Sequence, residues 1–460
     1  MIAGLQVLDA RADLDDDSGR LVTEDERQGL RQVTVDHVQI RRADTARRNP
    51  DKDLLRLRRS EIDLEDLDPL TRLPEHCCSR LHSGEPTSQA AYNRAVRAAV
   101  LKAVNEPLAI EDLDLAPPGP GEVSIRLAAS GVCHSDWNVI SGATPNPLPV
   151  VLGHEGAGVV EETGEGVTTI AQGDHVILSW LPSCGRCFYC SVGRPVLCEW
   201  STPAMLAGTM PDGTTRLSSN GDRHHHYSFL STFAERCVVP EASCVPIRKD
   251  APLAVAALVG CAVMTGVGAV INRARVEPGS MVAVFGAGGV GLSAVLGARL
   301  AGAGTIVAVD PVPFKRALAG ELGATHVLDP GAGDVPSEIR GLAGGRGADY
   351  AFDTAGAPGL VATAYDSVRP GGTVVSVGIP AEGAEARLPA SRLPREEKVV
   401  MGSLYGSCRP HIDMPRVLDL YMAGKLELDR LVTRRYGLDE VNEAFAAMNA
   451  GEVARGVIEL

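Results

Sequence analysis

No stretch constrains this chain more than Val282-Ala-Val-Phe-Gly286-Ala-Gly288-Gly289-Val290-Gly291. An apolar run suited to a buried parallel strand passes into a glycine turn, and the residues beyond it suit a helix. Gly286 permits the tight turn, Gly288 lets backbone approach a pyrophosphate, and Gly291 lets helix and strand pack closely. Gly289 and Val290 open the helix, whose unpaired N–H groups and positive dipole end attract phosphate. A second strand ends at Asp310, nineteen residues after Gly291, where an acid can bind the adenosine ribose hydroxyls. Asp310 would repel a 2′-phosphate, so NAD is expected rather than NADP. Lys315, one turn further, either reaches the same ribose or stands as a solvated charge. The competing reading is a glycine turn in an unrelated α/β protein, with Asp310 a helix cap.

The surroundings agree with a dinucleotide fold. Across residues 263–404, strands at Met281–Phe285, Ile306–Val309, Tyr350–Phe352 and Thr373–Val377 alternate with helical segments. That alternation predicts a doubly wound parallel sheet, so the class is α/β. Residues 96–262 read as short strands broken by Gly and Pro. Residues 405–460 hold two helices, Pro415–Gly424 and Leu438–Asn449, and a last strand, Gly456–Leu460. Residues 1–95 carry dense charge of both signs and scattered apolar residues, apart from a short helix at 54–67. They are expected to be mostly disordered, either a tail or an artefact of gene delimitation, with the folded protein opening near Val96.

Hydrophobic residues make up 45% and charged residues 22%, the balance of a soluble globular protein. The net charge of −14 argues against general affinity for nucleic acid or anionic membrane. The first residues are acidic and lack the apolar core of a secretory signal, and the use of closely spaced thiolates as metal ligands would fit a reducing cytoplasm. Ala251–Ile271 is uncharged and of membrane-span length. It contains Gly260, Gly266 and Gly268, and a core helix, a loop and a second helix fit it better than a span.

Four of the 11 cysteines, Cys184, Cys187, Cys190 and Cys198, fall within fifteen positions. Such close spacing favours metal ligation over disulfides. Four thiolates close a tetrahedral zinc site with no room for substrate, so its role is to fold a loop. An iron–sulfur cluster would take the same four ligands. Further candidate ligands stand in Gly131-Val-Cys133-His134-Ser135-Asp136, Gly153-His154-Glu155 and Gly260-Cys261. Singly, each such residue is more often structural. The run His224-His225-His226 resembles a metal tract but is expected to hold no metal.

Together these motifs resemble the zinc-containing medium-chain alcohol dehydrogenases, in the long-loop branch that includes the class III-like enzymes. The resemblance spans nearly all of 96–460 and includes Met210-Pro-Asp-Gly-Thr-Thr-Arg216, Ser231-Thr-Phe-Ala-Glu235 and Ala454-Arg455-Gly456. It implies a GroES-like β-rich catalytic domain from 96–262 and 405–460, and a Rossmann cofactor domain over 263–404. It further implies two Zn2+ per chain, a small alcohol or aldehyde substrate, and a homodimer or homotetramer. Cys133, His154 and Cys261 would hold the catalytic zinc, whose open position acidifies a bound alcohol. Ser135 would take the alcohol proton and Asp136 would orient the ligand imidazole. Glu155 would enter the coordination transiently, and His134 and Arg455 would contact the pyrophosphate.

Three positions qualify the resemblance. Asn138 stands where some relatives place a relay histidine, so protons would leave through His134 or water. Thr202 stands where glutathione-adduct enzymes place an arginine, which disfavours glutathione dependence. Trp180, at a substrate-channel position, either narrows the pocket or simply packs. Three rival functions stay open: a formaldehyde dehydrogenase using a different thiol adduct, a variant that holds its nicotinamide tightly and passes hydride to an external acceptor, and a non-catalytic zinc- and dinucleotide-binding member of the fold.

Overall fold

The computed structural model describes residues 31–35, 38–42, 94–381 and 383–460. Strands Arg31–Val35 and Val38–Arg42 pair antiparallel, with Val33 opposite Ile40 and Val35 opposite Val38. Their two-residue alternation explains a hairpin that the density of charge concealed. The helix expected at 54–67 lies outside the described residues.

From Arg94 onward the chain builds three sheets. A closed barrel runs Asp222–His226, Val150–Val151, Arg94–Leu101, Ala109–Leu115, Leu217–Ser219. A seven-stranded sheet is centred on Glu122–Gly131, which pairs with Gly156–Thr163, Arg236–Pro240 and the C-terminal Gly456–Glu459. The third sheet is wholly parallel, in the order His326–Leu328, Thr305–Val309, Met281–Phe285, Ala348–Asp353, Val368–Ser376, Val399–Gly402. Its order reverses at Met281–Phe285, and in such sheets ligands bind at that switch point. Met281–Phe285 is buried along its whole length, as a strand covered on both faces must be.

Two local expectations need correction. Leu253–Ala274 is one continuous helical run of 22 residues, not two helices and a loop. It contains two π-helical segments, Val259–Val263 and Ala269–Ala274, and 83% of its most apolar window is buried within the fold. Its glycines do not break the helix because they serve packing. A Cβ on Gly266 would lie 2.3 Å from the Val290 carbonyl oxygen, so two helices cross there at backbone contact. Burying side chains such as Leu258, Val259 and Val263 stabilises the run by about 2 kcal/mol each, well above the helical cost of its glycines. In the second case the C-terminal helix begins at Pro410, which occupies the first-turn position, and Pro415 is carried inside it. The helix expected to open at Leu438 starts as a short 3-10 turn and becomes α-helical from Val441 to Asn449.

Candidate functional site

Cys133 sits where strand Glu122–Gly131 hands over to helix His134–Ile140, so Ser135 and Asp136 occupy that helix's first turn. His154 and Glu155 lie in the bend between Val150–Val151 and Gly156–Thr163. The bend depends on Gly153, whose φ is +90° and where a Cβ would meet the Phe233 amide nitrogen at 2.6 Å. Cys261 stands in the first π segment of the buried helix. The result is convergence: one ligand atom each from Cys133, His154, Glu155 and Cys261, all buried, within 4.8 Å of one another.

The donor set fits a zinc ion. Both oxygens of Asp136 lie 3.2 Å from His154 Nδ1, which leaves Nε2 as the free ring nitrogen. Asp136 is itself wholly buried and accepts from the Gly153 amide at 2.9 Å. Glu155 Oε1 pairs with Arg455, while Glu155 Oε2 is buried and without a hydrogen-bond partner, an acceptor that a cation would satisfy. The hydrogen bond from Cys261 holds Cys133 well below the ordinary thiol range, with Arg455 and His154 adding to the pull. Burial works against a charged His154, yet Asp136 and Cys133 outweigh it and raise the ring well above its usual value. Burial pushes Glu155 up from the usual carboxylate range, and the attraction of Arg455 opposes it. Ser135 Oγ lies 3.7 Å from Cys133 Sγ. The side chain of Tyr227 donates to the Ser135 carbonyl at 3.2 Å and presents its ring to the edge of His154. Trp180 also meets the His154 ring edge-on, at 6.4 Å, and packs on Tyr405 at 4.6 Å.

The dinucleotide features lie next to this cluster. Gly286 has φ +93°, and a Cβ on Gly291 would fall 1.8 Å from the Gly286 carbonyl oxygen, whereas one on Gly288 would meet nothing within 4 Å. Gly289 opens the helix Gly289–Leu300, and Val290 makes the crossing at Gly266. Asp310 is buried and accepts from the amides of Ala287 at 2.7 Å and Val312 at 2.8 Å, bracing the glycine turn. Arg455 precedes strand Gly456–Glu459, whose pairing with Glu122–Gly131 carries it beside Cys133. Its Cδ lies 2.8 Å from where a Gly289 Cβ would be. His134 is exposed, with Arg455 and Lys315 close enough to act on its charge.

The second cluster brings Cys184, Cys187, Cys190 and Cys198 within the same 4.8 Å limit. Backbone N–H groups already point at the sulfurs: Cys187 N donates to Cys184 Sγ and Cys184 N to Cys198 Sγ, both at 3.3 Å. Backbone donors from Cys190 and Glu199 bring Cys187 down to about 6. Each of the described cysteines is a free thiol. The histidine run lies on strand Asp222–His226, where His226 Nε2 accepts from the Arg216 amide at 3.0 Å. Among the described residues, those three histidines join neither ligand cluster.

Several contributors were not legible beforehand. Tyr227 and Tyr405 reach the site from distant parts of the chain, and no spacing signals them. Arg316, whose guanidinium donates to the Asp310 carbonyl at 2.7 Å, reads in sequence as one more surface cation.

Residues 119–249 match the family described as "Alcohol dehydrogenase GroES-like domain", and residues 289–423 match "Zinc-binding dehydrogenase". The chain is 42% identical over 365 residues to the NDMA-dependent alcohol dehydrogenase of Amycolatopsis methanolica, covering 79% of this chain and 98% of that one. It is 41% identical over 365 residues to the S-(hydroxymethyl)glutathione dehydrogenase of a Synechocystis species, covering 79% and 99%. The crystal structure of benzyl alcohol dehydrogenase from Acinetobacter calcoaceticus superposes with a TM-score of 0.76 at 33% identity, over 80% of this chain and 99% of that one. The chain belongs to the zinc-containing medium-chain alcohol dehydrogenases, with a GroES-like domain joined to a Rossmann-type domain. It is an enzyme that moves hydride between an alcohol, or its carbonyl product, and a nicotinamide dinucleotide.

Proposed function

We propose that the enzyme is NAD-linked, with a catalytic zinc on Cys133, His154 and Cys261 and a structural zinc on the four-cysteine lobe. The observation that carries this reading is the convergence of the two thiols and one imidazole beside the glycine turn, with Arg455 spanning the gap. An ion at such an open site would acidify a bound alcohol hydroxyl and polarise a carbonyl. The remaining work falls to the chain. Asp136 fixes the His154 ring, Ser135 accepts the alcohol proton, and with Asn138 in the relay position the proton leaves through His134 or water. Arg455 and His134 hold the pyrophosphate at the start of helix Gly289–Leu300, and Lys315 reaches the adenosine ribose. Asp310, with its negative charge at the end of the second strand, favours the unphosphorylated ribose of NAD. Glu155, whose Oε2 is buried and unpaired, would be a further oxygen donor available to the ion. The catalytic region comprises 96–262 and 405–460, and the cofactor region 263–404.

The substrate is an alcohol or aldehyde lacking a glutathione moiety. Thr202 is exposed and its hydroxyl turns back to the Cys198 carbonyl at 3.3 Å, offering no cation to a carboxylate. The name of the Amycolatopsis relative supports a second reading, in which the nicotinamide stays bound and an external acceptor takes the hydride. The protein works in the cytoplasm as a homodimer or homotetramer. A steady-state screen of alcohols and aldehydes with NAD and NADP, with and without low-molecular-weight thiols and with metal analysis, tests all of this. Turnover with NADP in preference to NAD, or strict thiol dependence, overturns the first reading. Turnover only with an added artificial acceptor establishes the second.

A further inference from the structure

After strand Val399–Gly402 the chain makes a turn, residues 404–408, pressed onto the buried helix Leu253–Ala274 at three levels. Tyr405, Gly406 and Ser407 have φ of 51°, 63° and 48°. Bulky residues avoid that region unless their surroundings impose it. The surroundings do so here. A Cβ on Gly406 would meet the Met264 carbonyl oxygen at 2.2 Å and Gly268 Cα at 2.8 Å, so turn and helix touch backbone to backbone. Asn272 Nδ2 donates to the Gly406 carbonyl at 3.3 Å. The third contact is Tyr405, which is buried, packs its ring on Trp180, and donates its hydroxyl to the carbonyl of Gly260.

Gly260 is the residue before Cys261, and both lie in the π segment Val259–Val263, where the regular helical ladder is interrupted. A carbonyl in such a segment is less fixed by its own helix than one in an unbroken α-helix. We propose that Tyr405 is a positioning residue for the metal centre: by fixing the Gly260 carbonyl, its hydroxyl sets the direction of the Cys261 thiolate. What Asp136 does for His154 through the ring, Tyr405 does for Cys261 through the backbone. The inference rests on the reading that Cys261 is a zinc ligand.

Tyr405→Phe tests it, because the ring and its contact with Trp180 remain while the hydroxyl is lost. Outer partners of metal ligands typically contribute 10–100-fold to metal affinity. Tyr405→Phe is expected to release one zinc to a chelator at least about tenfold faster than the unsubstituted enzyme, with release from the cysteine lobe unchanged. In the Co2+-substituted enzyme its thiolate-to-metal and ligand-field absorption bands shift. Asn272→Ala, which loosens the same turn without touching Gly260, keeps the unsubstituted rate and spectrum. Should Tyr405→Phe not fold, replacing Tyr405 with 3-fluorotyrosine keeps the ring and gives a more acidic hydroxyl that donates more strongly to the Gly260 carbonyl, so release is expected to slow, and an unchanged rate there overturns the proposal. The proposal is overturned by an unchanged rate and spectrum in the folded hydroxyl variant, or by an Asn272→Ala effect as large as that of Tyr405→Phe. Cys261→Ser separates the two levels: retention of both zinc ions there sinks the metal-site reading itself, whereas loss of one with Tyr405→Phe unaffected sinks only the positioning role.

Discussion

Arg455 and Glu155 form an ion pair that is almost wholly excluded from solvent, 5% and 0% exposed, across 300 positions of sequence. The pair lies between the two halves of the chemistry, because the arginine stem runs against Gly289 while the carboxylate faces the ligand cluster. Removing one member of a buried pair leaves the other charge uncompensated and costs about 3–5 kcal/mol. Arg455→Met should therefore destabilise the protein by about 3 kcal/mol. Adding Glu155→Gln should return much of that loss, since a neutral amide needs no counter-charge. Denaturant unfolding of the two single variants and the double variant measures the coupling, and simple additivity would deny that the pair acts as a unit.

Two glycines of the dinucleotide turn should behave in opposite ways. A methyl at Gly288 meets open space, while one at Gly291 collides with the Gly286 carbonyl at 1.8 Å. Gly288→Ala should keep its stability within about 0.5 kcal/mol, yet lose dinucleotide affinity, because the methyl occupies the space the pyrophosphate needs. Gly291→Ala should lose about 3 kcal/mol of stability whether or not dinucleotide is present. Thermal unfolding and fluorescence titration with NADH, run on both variants, distinguish the two. Equal losses of stability would mean that open space at Gly288 plays no special part.

That contrast shows which features the sequence made legible. The roles of Gly286, Gly288 and Gly291 follow from a local strand, turn and helix, and the cysteine lobe from spacing within fifteen positions. Both are short-range patterns, and a chain expresses them without reference to its fold. Cys133, His154 and Cys261 are far apart, so their meeting could be foreseen only by resemblance. The Arg455–Glu155 pair and the contacts of Tyr405 and Tyr227 were not foreseen at all, because they depend on strand register and on where a distant turn lands. The continuity of helix Leu253–Ala274 is hidden in the sequence for a related reason. Glycine is a poor helix former in isolation, and only the crossing of Gly266 against Val290 makes its absent side chain an asset.

Metal content offers a direct check on the two clusters. The enzyme should carry two zinc ions per chain, one for each cluster of ligands. Cys190→Ser should lower this to one and destabilise the lobe, since an ion held by four thiols, two of them already met by backbone donors, would tie the loop together. Cys133→Ser should also lower the content to one, but with little effect on lobe folding and with loss of turnover. Elemental analysis, paired with limited proteolysis across residues 184–198, reads both. Two zinc ions retained in either variant would disprove the corresponding site.

His226 should make stability fall in mild acid. It is buried, its Nε2 accepts from the Arg216 amide and its Nδ1 lies 3.3 Å from Ser231 Oγ, so the neutral ring is the form that fits. Burial, helped by the nearby charges of Arg216 and His225 and opposed by Asp212, brings it down to about 3. In the unfolded chain the ring titrates near 6.5. Above that value both states hold a neutral ring and this group adds no pH dependence. Between about 6.5 and about 3 the unfolded state binds the extra proton, so unfolding becomes easier by about 1.4 kcal/mol per pH unit, or about 2 kcal/mol by pH 5. His226→Gln keeps an acceptor for the Arg216 amide and removes the titration. Denaturant unfolding at several values between pH 5 and 7.5 should therefore give a flatter profile for the variant than for the unsubstituted protein. Parallel profiles would show that the acid sensitivity comes from another group.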